Sequence, residues 1–254
     1  MKRFFSIFAA LVLLVSVSKT AVAAEWYEGI YIAPKISYNH VVMDKLRMDS
    51  SVDESLEPAR FSKGKNDDTF GLALAIGYDF DKRGVPVRAE LEYSYLGRAS
   101  GSASSVVVDN EYLHQVMSYK QKMDIQTVFL NAYFDINTGT PFTPYVGAGI
   151  GFALIDVEKA SATNSAYFID DDFLYSESVA AGSKSHTNFA WNIGAGIGWD
   201  ITPEITLDLG YRYMMLGEAK SKWRDASGRG DYFIRTKVDD VNIHQVQFAV
   251  RYTF

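Results

Sequence analysis

The sequence predicts an all-β fold: an eight-stranded antiparallel up-and-down transmembrane β-barrel with long outer loops. Three observations carry that prediction. Eight segments of about ten residues alternate large apolar side chains with small or polar ones, short and long connections follow one another between them, and aromatic residues collect at the segment ends.

The first 24 residues read as a leader to be removed. Lys2 and Arg3 precede the apolar run "FFSIFAALVLLVSV", and a small-residue segment "AVAA" follows, which is the layout of an export signal. The apolar run falls short of the ~20 residues a membrane-crossing helix needs. Residues 25–254 are then one exported barrel domain of about 230 residues. There is no cysteine, so strand pairing and packing must supply all the stability. Lys2, Arg3 and Lys19 leave with the leader, so the exported chain is more acidic than the full chain's net charge of -6, which argues against nucleic acid as a partner. The 14% aromatic content and 19 glycines suit strands and close backbone approach better than helices.

Taken in order, the segments are "IYIAPKISY" (30–38), "FGLALAIGYDF" (70–80), "PVRAELEYSY" (86–95), "TVFLNAYFDI" (127–136), "PYVGAGIGFAL" (144–154), "FAWNIGAGIGWD" (189–200), "ITLDLGYRYM" (205–214) and "QVQFAVRYTF" (245–254). Successive side chains leave opposite faces of a strand, so each segment has two unlike faces. In 70–80 one row is Phe70, Leu72, Leu74, Ile76, Tyr78 and Phe80, and the other is Gly71, Ala73, Ala75, Gly77 and Asp79. In 189–200 Phe189, Trp191, Ile193, Ala195, Ile197 and Trp199 oppose Asn192, Gly194, Gly196, Gly198 and Asp200. In 127–136 both rows carry bulk, and Val128, Leu130, Ala132 and Phe134 are assigned outward.

The glycine row decides which way the barrel faces. A soluble barrel would turn its bulky apolar row inward and leave Gly194, Gly196 and Gly198 as a water-facing surface, where Lys, Glu, Thr and Ser belong instead. Small residues suit the cramped lumen of an eight-stranded barrel. The bulky row therefore faces lipid.

The connections after the second, fourth and sixth segments are short ("DKRGV", "NTGTPFTP", "ITPE"). Those near 39–68, 97–122, 156–186 and 217–238 are long and polar. Phe80, Phe134, Trp199 and Phe254 lie by the short turns, and Tyr38, Tyr93, Tyr95, Phe189, Tyr211 and Tyr213 toward the long ones, as two lipid-water boundaries require.

The pieces "FGLALAIGYDF", "VPVRAELEYSY", "FLNAYFDI", "TPYVGAGIG", "AWNIGAGIGWDI", "LDLGYRYMMLG" and "VQFAVRYTF" together resemble the opacity-family porins and, more broadly, eight-stranded barrels of the outer-membrane protein A type. The likeness covers nearly all the strands and almost none of the loops. It implies residence in the bacterial outer membrane and insertion by the outer-membrane assembly machinery, which reads a last strand ending in an aromatic residue. Phe248, Val250, Tyr252 and Phe254 match that signal.

Inward-facing candidates are Lys35, Arg88, Glu90, Glu92, Asn131, Asn192, Asp208, Arg212, Gln247 and Arg251. Charges in a narrow lumen are costly unless paired, so Arg88, Glu90, Glu92, Asp208, Arg212 and Arg251 are expected to form a lumenal ion-pair network, with Glu90 and Glu92 facing Arg212 and Arg251. Such a network serves as a structural plug or as the gate of a narrow ion path.

No catalytic constellation, metal-ligand spacing or cofactor fingerprint is present, and "GAGIG" lies inside a strand without a following helix, so the chain reads as a non-enzyme without cofactors. Of His40, His114, His186 and His244, the last lies closest to the outer boundary. Asp170, Asp171 and Asp172 in one long loop oppose Lys220, Lys222, Arg224, Arg229, Arg235 and Lys237 in the last, so these loops are expected to attract one another or the last to meet lipopolysaccharide. "RGD" at 229–231 is a motif short enough to arise by chance. The expected partners are outer-membrane lipid and lipopolysaccharide, the assembly machinery, and host or envelope surface molecules through the loops, around a monomer. The function that follows is a surface scaffold or adhesin-like interaction protein, with a narrow porin as the alternative and a lipid-modifying enzyme as the remote one.

Overall fold

A computed structural model describes residues 28–50, 59–60, 66–109, 113–158, 161–168, 173–180, 182–222, 224–225 and 233–254. The leader, Asp170 to Asp172 and the RGD triplet lie outside the described residues. Eight long strands form the wall: β1 (Ile30–Ser50), β2 (Asp67–Asp79), β3 (Val87–Asp109), β4 (Leu113–Asp135), β5 (Phe142–Val157), β6 (Lys184–Asp200), β7 (Ile205–Met215) and β8 (Phe233–Thr253). Each pairs antiparallel with its sequence neighbours, and β8 returns to pair with β1 from Tyr31↔Thr253 to Ser50↔Ile234. The wall closes, so the span presents no unpaired strand edge to lipid.

The outward rows are those the sequence indicates. Ile36, Leu72, Leu91, Leu130, Ile150, Ile193 and Leu209 are all more than half exposed. The ambiguous fourth segment resolves the same way, since Leu130 and Phe134 point out while Phe129 is fully enclosed. Rings pair at both boundaries: Phe142 with Trp199 (5.9 Å) and Tyr252 with Phe254 (5.0 Å) by the short turns, Tyr38 with Phe70 (5.7 Å) and Trp191 with Tyr213 (5.9 Å) at the other end.

The short turns are tightly held. After β2 a single turn of 3-10 helix, Phe80–Arg83, is capped by the Asp79 carboxylate, which accepts from the Asp81 amide at 2.9 Å, and stopped by Gly84 at φ 77°. Between β6 and β7 the Thr202 hydroxyl accepts from the amides of Glu204 and Ile205.

The long connections differ from the sequence expectation. Much of 39–68, 97–122 and 156–186 is strand: β1 continues to Ser50, β3 to Asp109, β4 begins at Leu113, and a hairpin of Ser161–Phe168 and Phe173–Ala180 lies along the outer half of β4. The physical reason is that above the membrane both faces of a strand change partner. Arg98, Asp124 and Asp156 now point out to water while Leu96, Ile125 and Ile155 point in, so the lipid-facing signature vanishes although the pleat continues. Gly97, at φ 88°, sits where β3 shifts register by a bulge between Tyr95 and Arg98, at the height of the outer boundary.

Candidate functional site

The barrel interior is built in two layers. The lower, toward the short turns, is charged. Five of the inward side chains there are met at their own height on a neighbouring strand by a small one: Glu92 by Ala75, Glu90 by Gly77, Lys35 by Ala73, Arg212 by Gly194 and Asp208 by Gly198. The glycine row thus clears space for long and aromatic partners. A Cβ on Gly77 would overlap the Tyr31 ring, and one on Gly147 the Tyr133 ring.

Lys35 is the hub. Its Nζ donates to Glu90 Oε1 and to Glu92 Oε2, both at 2.6 Å. Glu92 Oε1 also accepts from Arg212 Nη2 at 2.5 Å and from the Ser94 hydroxyl at 2.7 Å. β3 and β7 are four strands apart in a ring of eight, so the Glu92-Arg212 pair crosses the full width of the lumen. Arg212 Nε donates to Gln245 Oε1 at 2.5 Å, and Gln245 Nε2 donates on to Asn39 Oδ1 at 2.6 Å. Glu90 further accepts from the hydroxyls of Tyr31 and Tyr133 at 3.2 and 3.1 Å. Glu92 has no solvent exposure.

Nearer the short turns two more groups fill the lumen. Arg88 grips Asp135 through both Nε (2.7 Å) and Nη2 (2.8 Å), between the rings of Tyr133 and Tyr145, each centroid 4.9 Å away. Arg251 Nε donates to Asp208 Oδ2 at 3.2 Å and Nη1 to Asp79 Oδ2 at 3.4 Å. The sequence reading therefore needs correcting on one pairing: Arg251 meets Asp208 and Asp79, and the cation opposite Glu90 is Lys35. Asp79 was placed in the inward row of its segment but left out of the network, and Asp135 escaped notice because it closes its segment next to the turn. Tyr31, Tyr133 and Tyr145 escaped because tyrosine was read as a boundary residue. Strand register, unavailable to periodicity, is what could have found them.

The upper layer is apolar. Val41, Met43, Leu96, Met123, Ile155 and Ile243 belong to one continuous buried cluster inside the outer half of the barrel. Sequence reasoning missed it, having assigned only small and polar residues inward. Its cause is the same inversion that disguised the outer strands: where the wall's outside turns polar, the inside becomes the hydrophobic core.

Among the loop candidates, Lys220 pairs with Glu218, and Lys237 pairs with Glu218 (3.3 Å) and Asp239 (2.9 Å). The third and fourth outer connections touch through a backbone bridge, Lys222 N to Gly182 O at 3.1 Å. His244 Nδ1 lies 2.7 Å from the Tyr211 hydroxyl, and its ring packs 5.2 Å from that of Tyr213 at the outer boundary. Phe248, Val250 and Phe254 form an exposed row along β8 and its end, and the Phe254 amide donates to Ile30 O at 2.9 Å.

Comparison with known proteins gives one consistent answer. The model of the family described as "Outer membrane protein beta-barrel domain" matches residues 7–254. Outer membrane protein PagN of Salmonella typhimurium is 30% identical over 220 residues, 86% of this chain and 85% of that protein. Opacity protein opA55 of Neisseria gonorrhoeae is 25% identical over 140 residues, 51% of this chain and 53% of that protein. Among solved structures, outer membrane protein OprG from Pseudomonas aeruginosa aligns with a TM-score of 0.52 at 16% identity, covering 90% of this chain and 98% of that one, a likeness of fold.

Proposed function

Since this chain belongs to the outer membrane protein β-barrel domain family, and so resides in the outer membrane, we propose that it is a closed-lumen surface scaffold whose extended outer strands serve adhesin-like contact with host or envelope surface molecules. The observation that carries this reading is the doubled closure of the interior. A charged layer with Glu92-Arg212 running across it lies below an apolar layer of fully buried side chains. An ion entering from outside would have to shed its water against Ile243, Ile125 and Met123, then displace a paired charge. The outer half of the wall carries paired β-structure away from the membrane, which suits display.

The test uses refolded protein in planar bilayers and the same protein displayed on a non-adherent Gram-negative host. The expected result is no discrete conductance steps, together with binding of the displaying cells to epithelial monolayers. Reproducible steps in the wild-type barrel would favour the narrow-porin reading and overturn this one.

Phe248, Val250, Tyr252 and Phe254 are proposed as the contact with the assembly machinery. Deleting Phe254 is expected to reduce the heat-modifiable, membrane-inserted fraction in cells while leaving refolding into detergent intact, because it removes a recognition element at the very end of the wall. Equal loss in cells and in purified refolding would assign the residue to stability alone.

A further inference from the structure

Above the outer boundary, one face of the wall is paved with hydroxyls. β3, β4 and the two strands of the hairpin Ser161–Phe168 and Phe173–Ala180 form a four-stranded sheet there. On its outward face the Ser104 and Ser118 hydroxyls meet at 3.2 Å, Thr163 and Ser178 at 2.9 Å, and Ser165 and Ser176 at 3.4 Å. Ser118 and Thr163 are themselves opposite each other, so the hydroxyls run across all four strands. Two exposed cations, Lys120 and Lys122, stand on the same face beside Ser102 and Ser100.

This face is a continuation of the lipid-facing surface. Along β4, Leu130, Val128, Gln126, Asp124, Lys122, Lys120 and Ser118 alternate outward in an unbroken row. Leu130 faces acyl chains. Gln126 and Asp124 accept hydrogen bonds from the boundary tyrosines Tyr93 (2.6 Å) and Tyr95 (3.0 Å), which marks where lipid ends. Each further pair of residues rises about 7 Å along the strand. Lys122, Lys120 and the hydroxyls therefore occupy the zone directly above the acyl boundary, facing sideways toward neighbouring lipids.

The charge pattern there is selective. At the boundary Arg98 is matched by Asp124 (2.8 Å) and Glu158 (3.0 Å). At the height of Lys122 the neighbouring carboxylates are engaged, Glu158 by Arg98 and Asp67 by the Ser100 amide (2.6 Å), and above them the described outward residues of β3, β4 and the hairpin up to the Ser104-Ser118 pair carry Lys120 and no carboxylate. Hydroxyls that both donate and accept match sugar hydroxyls, and lysine matches phosphate.

We propose that this face binds the phosphorylated core saccharide of the outer-leaflet glycolipid. The binding is lateral, holds the sheet upright in the saccharide layer, and leaves the far ends of the strands free for other contacts.

The test is retention of glycolipid by refolded protein in detergent, measured by native mass spectrometry with two probes, rough lipopolysaccharide carrying a phosphorylated core and lipid A lacking it. Heat-modifiable gel migration reports folding of every variant. K120Q/K122Q is expected to retain the core-bearing probe roughly thirtyfold less well than wild type, since each near-surface lysine adds a separate favourable increment. S118A/T163A, which keeps both lysines, is expected to weaken the same probe and leave lipid A unaffected. Unchanged retention by K120Q/K122Q would overturn the proposal. So would an equal loss with both probes, which would place the lysines against lipid A phosphates.

Discussion

Glu92→Ala is expected to lower the unfolding free energy of the refolded barrel by about 3 to 5 kcal/mol, the range found when one member of a buried ionic group is removed and its partner stays behind. The measurement is the urea midpoint followed by tryptophan fluorescence in lipid vesicles, with gel migration as the check on folding. The reasoning rests on what the substitution strands. Arg212 would lose its carboxylate while keeping only the neutral amide oxygen of Gln245 on Nε, and its Nη1 has no hydrogen-bond partner among the described residues even in the intact protein. Lys35 would keep Glu90. The orphaned guanidinium, 4% exposed, lies between apolar side chains above and the Arg88-Asp135 and Arg251-Asp208 groups below, so little water is available to replace its carboxylate.

Two comparisons separate this account from a simple loss of packing. Glu92→Leu combined with Arg212→Met removes both charges and fills the space with apolar volume. It is expected to cost far less than Glu92→Ala, because the penalty belongs to the unpaired charge and not to the absence of a bridge. Asp124→Ala breaks an exposed pair with Arg98 and is expected to cost no more than about 1 kcal/mol. A urea midpoint for Glu92→Ala equal to that of Asp124→Ala would sink the claim that the lower layer is sealed from water.

How much of this was legible depends on what lay outside each strand. Within the membrane, lipid makes one row of every strand apolar without exception, so Arg88, Glu90 and Glu92 could be turned inward from "PVRAELEYSY" alone. Beyond Tyr95 the outside is water, and Arg98 out with Leu96 in looks like any soluble strand. The run from Ala99 to Ser105, poor in large apolar residues, then reads as loop although it pairs residue for residue with β4. Partners were harder than directions. That Arg88 belongs to Asp135 and Arg251 to Asp208 depends on relative strand heights, which are set by turn length and bulges. Lys35 was placed inside correctly but not at the centre, since nothing in "IYIAPKISY" states that Glu90 and Glu92 stand at its height.

The glycine row offers the sharper test of how this interior is packed. Gly77→Ala is expected to destabilise the barrel by about 1 to 3 kcal/mol, the usual cost of overfilling a well-packed core. The added Cβ would collide with the ring of Tyr31, which is fully buried, and the three nearest atoms all belong to that one side chain. Tyr31→Ala should therefore relieve the clash, and a double-mutant cycle is expected to give a coupling of roughly 0.5 to 3 kcal/mol between the two positions. Gly147→Ala is expected to behave differently. Its Cβ would meet the Tyr133 ring, but also the carbonyl oxygen of Ala132 at 3.0 Å, and backbone in a closed wall cannot withdraw as a side chain can. Tyr133→Ala should rescue Gly147→Ala only in part. Strictly additive urea midpoints for Gly77→Ala and Tyr31→Ala would mean that the glycines are not clearance for rings, and that the small row serves some other end than room for what stands opposite it.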